Sequence, residues 1–245
     1  MSRDDANRRP GQLALEWAHD PSHAEADFIV GDGNRLAHAH VLAFPNWPGP
    51  LTLIEGPASA GKSHLARIWV EHAEAIVAEP DTAEELATVG GTTPVLVEDV
   101  ERAGYGEAAL FHLLNQSMRD RRPLLMTARE GVANWPFSTA DLKSRARLAQ
   151  HFRVEVSDDI QLSQMFVKLF GDRQVVVDPR TIAYVVARME RSPEEAVALA
   201  EAMDRMALER GTAITRAIAA EVLARREDGR DDGQLRLHLE GDDDE

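Results

Sequence analysis

The segment Leu51-Thr52-Leu53-Ile54-Glu55-Gly56-Pro57-Ala58-Ser59-Ala60-Gly61-Lys62-Ser63 carries the clearest structural signal of the chain. A short apolar run leads into a loop with the spacing G-x-x-x-x-G-K-S, the phosphate-binding pattern of P-loop proteins. The two glycines let backbone N–H groups approach phosphate oxygens, Lys62 supplies a cation, and Ser63 supplies a hydroxyl for Mg²⁺. The residues that follow predict a helix whose positive N-terminal end faces the same phosphates. The predicted nucleotide-binding residues of this stretch are Gly56, Pro57, Ala58, Ser59, Ala60, Gly61, Lys62, Ser63 and His64.

Composition indicates a globular protein. The 245 residues are 44% hydrophobic and 28% charged, which suffices for one substantial core and a small second one. The chain contains no cysteine, and no apolar run approaches the ~18 residues of a membrane span. We therefore expect a soluble, cytoplasmic protein that does not associate with membranes.

The charge balance is strongly acidic. The chain has 27 Lys and Arg against 42 Asp and Glu, a net charge of −15. This excess opposes binding that neutralises many DNA phosphates, so we expect no direct sequence-specific DNA binding. Residues 227–245 hold nine acidic residues and two arginines, hence −7 of the −15. Such a segment cannot bury enough apolar surface to fold alone, which predicts a disordered acidic tail.

The remaining chain divides into three stretches. Residues 1–27 lack sustained periodicity and are predicted to form a flexible arm. Residues 28–156 alternate strand-like and helical runs, which predicts an α/β domain with a five-stranded parallel sheet covered on both faces. Residues 157–226 predict a small all-α domain. The predicted strands are Leu51–Glu55, Ala75–Ala78, Pro94–Glu98, Leu124–Thr127 and Arg153–Val156, and the predicted helices of the second domain cover 158–170, 179–190, 193–209 and 216–226.

Two of those helices have clear start signals. Asp178 and Ser192 each stand before a proline, so each is a cap residue followed by proline at the first helical position. Glu195, three residues after Ser192, completes a predicted capping box.

A second apolar strand ends in two carboxylates, Glu98 and Asp99. P-loop proteins use such acids to hold Mg²⁺ and to polarise the attacking water. Because adjacent strand side chains point to opposite faces, we expect different duties: Glu98 near the metal and Asp99 near the water. Thr127 ends a further buried strand, where its hydroxyl could sense the terminal phosphate.

The order of these motifs resembles that of the DnaA branch of the AAA+ ATPases, and within it the DnaA-homologous, Hda-type regulators of replication initiation. The likeness extends from about residue 28 to 226. Phe28-Ile29-Val30-Gly31, followed by Asn34-Arg35-Leu36-Ala37, is similar to the family's adenine-packing stretch, which implies base contacts from Phe28, Val30 and Asn34. The helix at Leu110–Asn115 resembles the one between the family's acidic and sensor strands.

The same resemblance assigns three further roles. Thr127 falls at the sensor 1 position, Arg145 at the arginine finger, and Arg191 at sensor 2 in the helical lid. Glu98-Asp99 replaces the paired aspartates usual in the initiator, which leaves Mg²⁺ binding in place and predicts weak hydrolysis by the chain itself. The initiator's DNA-reading helix-turn-helix domain has no counterpart here, and we expect a protein that is not itself an initiator.

The arm carries an apolar cluster, Gln12-Leu13-Ala14-Leu15-Glu16-Trp17. It resembles the peptide by which Hda-type proteins dock onto the sliding clamp of DNA polymerase III, which implies clamp contacts from Gln12, Leu13, Leu15 and Trp17. The alternative is an arm that packs on its own domain. A similar cluster at 234–239 predicts an auxiliary clamp contact, a strand added to the sheet of the domain, or a disordered part of the tail.

The resemblance implies a negative regulator of replication initiation that binds ADP or ATP with Mg²⁺ and acts on a DnaA-type initiator. Two alternatives stay open: an AAA+ enzyme with its own turnover, resembling a motor or clamp loader, and a DnaA-like recruitment adaptor. A metabolic kinase would share the P-loop but would not account for the lid helices, Arg191 or the arm.

Overall fold

The computed structural model describes residues 25–155 and 158–226, and a parallel β-sheet lies at its centre. The strands are β1 (Leu51–Glu55), β2 (Ile76–Ala78), β3 (Val95–Val97), β4 (Leu124–Ala128) and β5 (Gln150–Arg153). They form one five-stranded sheet in the order β2-β3-β4-β1-β5, and every neighbouring pair is parallel. The strand that leads into the phosphate-binding loop therefore lies between β4 and β5.

Helices cover both faces of this sheet. They are α1 (Arg35–Leu42), α2 (Lys62–Ala73), α3 (Ala83–Val89), α4 (Glu107–Asp120), α5 (Ala140–Ala146), α6 (Asp159–Asp172), α7 (Pro179–Val186), α8 (Pro193–Arg210) and α9 (216–226). Leu53 of β1 packs in one core with α4 and α5, whereas Ile54, the next residue, packs in another with α1 and α2. Strands buried on both faces explain the continuous apolar runs of the sequence, and the predicted α/β fold is confirmed.

The predicted strand positions hold for four of the five strands. β1 has the predicted bounds, β2 and β4 differ from theirs by one residue at one end, and β3 is one residue shorter at each end. The prediction of a strand at Arg153–Val156 was wrong, because β5 covers Gln150–Arg153. β5 pairs on one side only, with β1, and its residues alternate between half-buried and exposed. An edge strand of this kind carries polar residues and does not produce the apolar run that the prediction relied on.

The C-terminal helices share a core of their own, and Asp178 and Ser192 cap α7 and α8 as predicted. The side chain of Asp178 accepts a hydrogen bond from Arg180 N at 2.8 Å, and that of Ser192 accepts one from Glu195 N at 3.0 Å. Helices α6 to α9 bury one continuous apolar cluster. Buried Glu195 also forms a two-pronged ion pair with Arg226, at 2.9 and 2.7 Å, which ties the start of α8 to the end of α9.

Within the described ranges, no helix has both the length and the apolar character needed to span a bilayer.

His40 lies in an aromatic cluster that joins α1 to the sheet. Its ring stacks on Trp47 at 4.5 Å and on Phe152 of β5 at 4.4 Å, measured between ring centroids. Nε2 shares a hydrogen bond of 2.9 Å with the hydroxyl of Thr52 in β1. Burial lowers the pKa of His40 from 6.5 to about 4. The folded protein therefore holds this histidine neutral at pH values where the unfolded chain would protonate it.

Stability should fall as the solution is acidified from pH 7 to 5, and His40 should account for on the order of 1–2 kcal/mol of that fall. The unfolded state binds the extra proton below about pH 6.5, whereas the folded state takes it up only near pH 4. Urea unfolding at several pH values measures the slope, and His40→Gln should flatten it. An unchanged slope in the variant would contradict the assignment.

Candidate nucleotide-binding site

The phosphate-binding loop, residues 56–61, begins at the end of β1 and runs directly into α2. Its backbone has positive φ at Gly56 (154°), Ser59 (56°) and Gly61 (93°). A Cβ atom at Gly56 would lie 2.1 Å from the carbonyl oxygen of Val154, so only glycine fits between the loop and the end of β5. Loop and helix therefore present backbone N–H groups and the N-terminus of α2 to one place, the arrangement that binds phosphate.

Lys62, the first residue of α2, is 6% exposed, and its Nζ donates a hydrogen bond of 2.7 Å to the carbonyl oxygen of Pro57. Burial lowers the pKa of Lys62, and the negative charge of Asp99 opposes this effect. The ammonium thus lies inside the loop, near its first residues. This is the position from which a P-loop lysine reaches the terminal phosphates of a nucleotide.

A cleft of about 320 Å³, which we call the Phe28 cleft, opens beside the second half of the loop. Its walls come from the sheet side, the loop with α2, and the C-terminal helices. The lining residues are Asp27, Phe28, Ile29, Asn34, Ser59, Ala60, Gly61, Lys62, Ser63, His64, Gln161, Met165, Lys168, Leu169, Asp172 and Val197. Because phosphate-binding residues and apolar side chains share this cleft, it can hold a base at one end and phosphates at the other.

Two of the three residues assigned to the base line the Phe28 cleft. The ring of Phe28 stacks on His38 at 5.3 Å and meets His64 edge-on at 5.2 Å. The amide of buried Asn34 accepts a hydrogen bond from Gly31 N at 2.9 Å and donates one to Ile29 O at 2.8 Å, which fixes the turn.

Val30, the third, does not line the Phe28 cleft. It is 46% exposed and lines a neighbouring depression that shares Phe28 and Ile29 with that cleft. Ile29 stands in the Phe28 cleft in its place. In an extended segment adjacent side chains point to opposite faces, so residues 29 and 30 are not expected to line the same cleft. The contribution of Gln161, Met165 and Lys168 from α6 has no signal in the sequence, because these residues belong to no motif.

A second cleft, of about 970 Å³, lies beside the first half of the loop, and we call it the Arg129 cleft. Charged side chains of both signs dominate it. Its lining residues are Glu55, Gly56, Pro57, Ala58, Glu101, Arg102, Arg129, Glu130, Gly131, Asn134, Arg153, Glu155, Arg191, Ser192, Pro193 and Glu194. The cleft therefore meets the phosphate-binding loop at Pro57, whose carbonyl oxygen accepts the hydrogen bond from Lys62 Nζ.

The acidic pair follows β3 directly, and the two acids differ in their surroundings. The carboxylate of Glu98 accepts a hydrogen bond of 3.1 Å from Arg67, which lies one turn beyond Ser63 on the same face of α2. Asp99 acts electrostatically on Lys62, and its backbone N–H donates to the hydroxyl of buried Thr127 at 2.9 Å. The structure thus brings Glu98 toward the Ser63 side of α2 and joins Asp99 to Thr127.

These oxygen donors fit Mg²⁺, which prefers hydroxyl and carboxylate ligands with phosphate and water completing the shell. Ser63 is exposed, and its hydroxyl makes no hydrogen bond to any residue in 25–155 or 158–226. No group of three or more His, Cys, Asp or Glu side chains in those ranges forms a metal site. A metal at this place would therefore depend on phosphate oxygens as well as on Ser63 and Glu98.

Arg145 and Arg191 lie in different environments. Arg145 is exposed near the end of α5, and among the described residues its guanidinium has no hydrogen-bond or ion-pair partner. Arg191 lines the Arg129 cleft and forms an ion pair of 3.0 Å with Asp159 at the start of α6. The structure brings Arg191 to the phosphate-binding loop and leaves Arg145 directed to solvent.

The predicted clamp-binding residues Gln12, Leu13, Leu15 and Trp17 lie outside the described residues, as does the cluster at 234–239. Their role stays a prediction.

No protein-family model matches this chain, and no curated protein matches it in sequence. Solved structures match its fold. Domain III of the replication initiation protein DnaA from Thermotoga maritima is similar with a TM-score of 0.69 and 16% identity, over 84% of this chain and 97% of that one. AMPPCP-bound DnaA from Aquifex aeolicus has a TM-score of 0.61 and 19% identity, over 88% and 72%. The Thermotoga maritima RuvB Holliday junction branch migration motor has a TM-score of 0.60 and 16% identity, over 80% and 69%.

At identities of 16% to 19%, these structures show that the chain shares their fold. The shared features are the five-stranded parallel sheet with its covering helices and the helices that follow it. The expectation of an AAA+ fold is confirmed, whereas the narrower resemblance to Hda-type regulators stays a prediction. The chain therefore has the AAA+ fold of DnaA domain III and RuvB.

Proposed function

We propose that this protein is a negative regulator of chromosome replication initiation. In this proposal the chain binds an adenine nucleotide, is recruited by the DNA-loaded sliding clamp of DNA polymerase III, and stimulates ATP hydrolysis by a DnaA-type initiator. The observation that carries the proposal is Arg145: an exposed guanidinium without a partner among the described residues, on a chain with a DnaA-like fold. A cation so placed is available to a nucleotide held by another protein.

ADP or ATP would occupy the Phe28 cleft, with its base near Phe28 and its phosphates on the loop and the N-terminus of α2. The solved DnaA structures bound to AMPPCP support a nucleotide in this fold. Ser63 and Glu98 would hold Mg²⁺, which when bound neutralises charge on the phosphate oxygens. Because the cleft has walls from both the sheet side and α6, the nucleotide would also hold these two parts together.

Arg145 would act on the initiator's nucleotide. Its guanidinium would stabilise negative charge on the phosphoryl group that is transferred to water, an effect worth about 10³–10⁵ in rate in other NTPases. Helix α5 gives this side chain a fixed base, because the carboxylate of Glu107 accepts hydrogen bonds from the backbone N–H groups of Ser138 and Thr139 at the start of α5. These hydrogen bonds, that from Thr139 foremost, hold the pKa of Glu107 below its usual range.

Lys62→Ala should weaken the binding of ADP and of ATP by about 10- to 100-fold, the loss expected for a charge-assisted contact to phosphate. Titration calorimetry of the purified protein measures both affinities. Lys143→Ala is the matched control, since Lys143 lies on α5 outside both clefts, and it should bind as the parent does. If Lys62→Ala and the parent had equal affinities, the proposed binding of a nucleotide by this loop would be wrong.

Arg145→Ala should abolish stimulation of the initiator's ATP hydrolysis while leaving this protein's own nucleotide affinity unchanged. The assay combines ATP-loaded initiator, DNA-loaded clamp and this protein, and follows release of phosphate. Arg147→Ala is a close control, because Arg147 is also exposed and lies two residues further along the chain. If Arg145→Ala still stimulated the initiator's ATP hydrolysis fully, the assignment of Arg145 as an arginine finger would be wrong.

Leu13→Ala/Leu15→Ala should eliminate stimulation in the same assay, because the arm would lose the apolar anchors that fill pockets on the clamp. The variant should also fail to bind purified clamp in the absence of DNA, while its affinity for nucleotide is retained. If the variant without both leucines still stimulated hydrolysis, the arm would not be required for stimulation of the initiator.

A second candidate is an ATPase that turns over its own nucleotide. Two observations favour it: Asp99 is electrostatically coupled to Lys62 and hydrogen-bonded to Thr127, and the solved neighbours include RuvB, a branch migration motor. A DnaA-like recruitment adaptor is a third. Brisk hydrolysis by this protein alone would favour the ATPase, and binding to DNA without clamp would favour the adaptor.

A further inference from the structure

The depression that Val30 lines is an apolar groove of about 940 Å³ beside α6, and we call it the α6 groove. Its large apolar side chains come from two places: Phe28, Ile29 and Val30 before α1, and Ile160 and Val167 on α6. Val30, Ile160 and Val167 are 46%, 71% and 60% exposed. Apolar side chains that are grouped in this way, and not scattered singly, indicate a surface that a partner covers.

Helix α6 carries apolar side chains on two faces. Leu162, Phe166 and Phe170 are buried in the core of the C-terminal helices. Ile160 and Val167 are seven residues apart, so they share a face of the helix, and that face lines the groove. A surface helix normally buries one apolar stripe and exposes a polar one. The second apolar face of α6 is therefore suited to a further segment packed on it.

The described part of the chain begins beside the α6 groove. Lys168 of α6 donates a hydrogen bond of 3.1 Å to the carbonyl oxygen of Asp27, and both residues line the groove. The carboxylate of Glu25 accepts a hydrogen bond of 3.1 Å from His72 on α2. The residues before Glu25 therefore start next to the groove, at a point fixed by contacts to two helices.

The arm is long enough to fill the groove. Eight residues lead from Trp17 to Glu25, which is up to about 26–29 Å of extended chain. The part of α6 between Ile160 and Val167 is about 10 Å long. A tethered segment needs little affinity of its own, because a short linker holds it near its site at a millimolar effective concentration. The apolar cluster of the arm, residues 13–17, can thus reach the groove of its own chain.

We propose that the α6 groove is the docking site of this chain's own arm. Its occupants would be Leu13, Leu15 and Trp17, which would leave water by packing against the exposed apolar face of α6. These three side chains are also the ones that the proposed function assigns to the sliding clamp, so the arm would leave the groove when it binds the clamp. Docking depends on this chain alone, and only the exchange with the clamp rests on the proposed function.

Disulfide trapping tests the docking, because the chain has no cysteine of its own. The purified full chain would carry Ala14→Cys, between the two leucines of the arm, together with Gln164→Cys. Gln164 is exposed, lines the groove, and is polar, so its replacement removes no apolar contact. Mild oxidation with copper phenanthroline should join the two cysteines within one molecule, which mass spectrometry of the digested protein identifies.

The matched control is Ala14→Cys with Glu71→Cys. Glu71 is exposed, lies outside the groove, and precedes His72, which contacts the start of the arm through Glu25. An arm that moved freely about its origin would react with a cysteine at 71 as readily as with one at 164. Docking predicts a rate about tenfold higher at 164, owing to the raised local concentration. Adding Val167→Asn, an uncharged change at an exposed position, should remove this advantage.

A disulfide within one chain at residue 164 that is lost with Val167→Asn would support the docking. Equal rates at residues 164 and 71, or an advantage that survives Val167→Asn, would overturn it. Disulfide-linked dimers in place of the product within one chain would also overturn it, because the groove would then receive the arm of a second copy. Nucleotide, clamp and initiator are all absent from this experiment, so a failure of the docking leaves the proposed function untouched.

Discussion

The site depends on the hydrogen bonds that hold the end of β1 between β4 and β5. On one side Gly56 N donates to Ala128 O at 3.2 Å, and on the other Val154 N donates to Glu55 O at 2.7 Å. The chain after β5 lies so close that a Cβ atom at Gly56 would meet the carbonyl oxygen of Val154. Every other part of the phosphate-binding arrangement takes its position from this strand end, because the loop, Lys62 and α2 follow from it without a break.

Charged side chains are concentrated where the carboxyl ends of β1, β4 and β5 meet. The chain carries −15 overall, yet the Arg129 cleft gathers four arginines beside the first residues of the phosphate-binding loop. Carboxylates lie among them, and two of the four arginines are in ion pairs. A concave surface with uncommitted guanidinium groups focuses its field on small anions. The overall acidity would then oppose the binding of DNA, which is a long polyanion, whereas the local arrangement would favour a single nucleotide.

Much of the fold follows from the sequence because its central strands are buried on both faces. Apolar runs and the glycines of the loop give β1, β3 and β4 nearly to the residue, and side-chain caps mark the starts of α7 and α8. β5 was misplaced because an edge strand is only half buried and alternates with polar residues. Its position is set by pairing with β1, which is a long-range contact that no local pattern encodes.

The site was predictable where a residue belongs to a motif and unpredictable where it depends on packing. The residues of the loop lie together as the pattern requires, but Ile29 lines the Phe28 cleft where Val30 was expected, and α6 contributes a wall that carries no signature. Arg129 has no local signal at all, since one arginine after a strand is usually a solvated surface residue. Its place beside the loop comes from the register of β4 against β1. Lys62 and Arg145 would therefore serve different nucleotides, because Lys62 lies inside the loop of its own chain, whereas Arg145 extends into solvent from α5. A protein that holds one nucleotide and acts on another needs such a division, because a guanidinium already bound to its own phosphate cannot reach the phosphate of a partner.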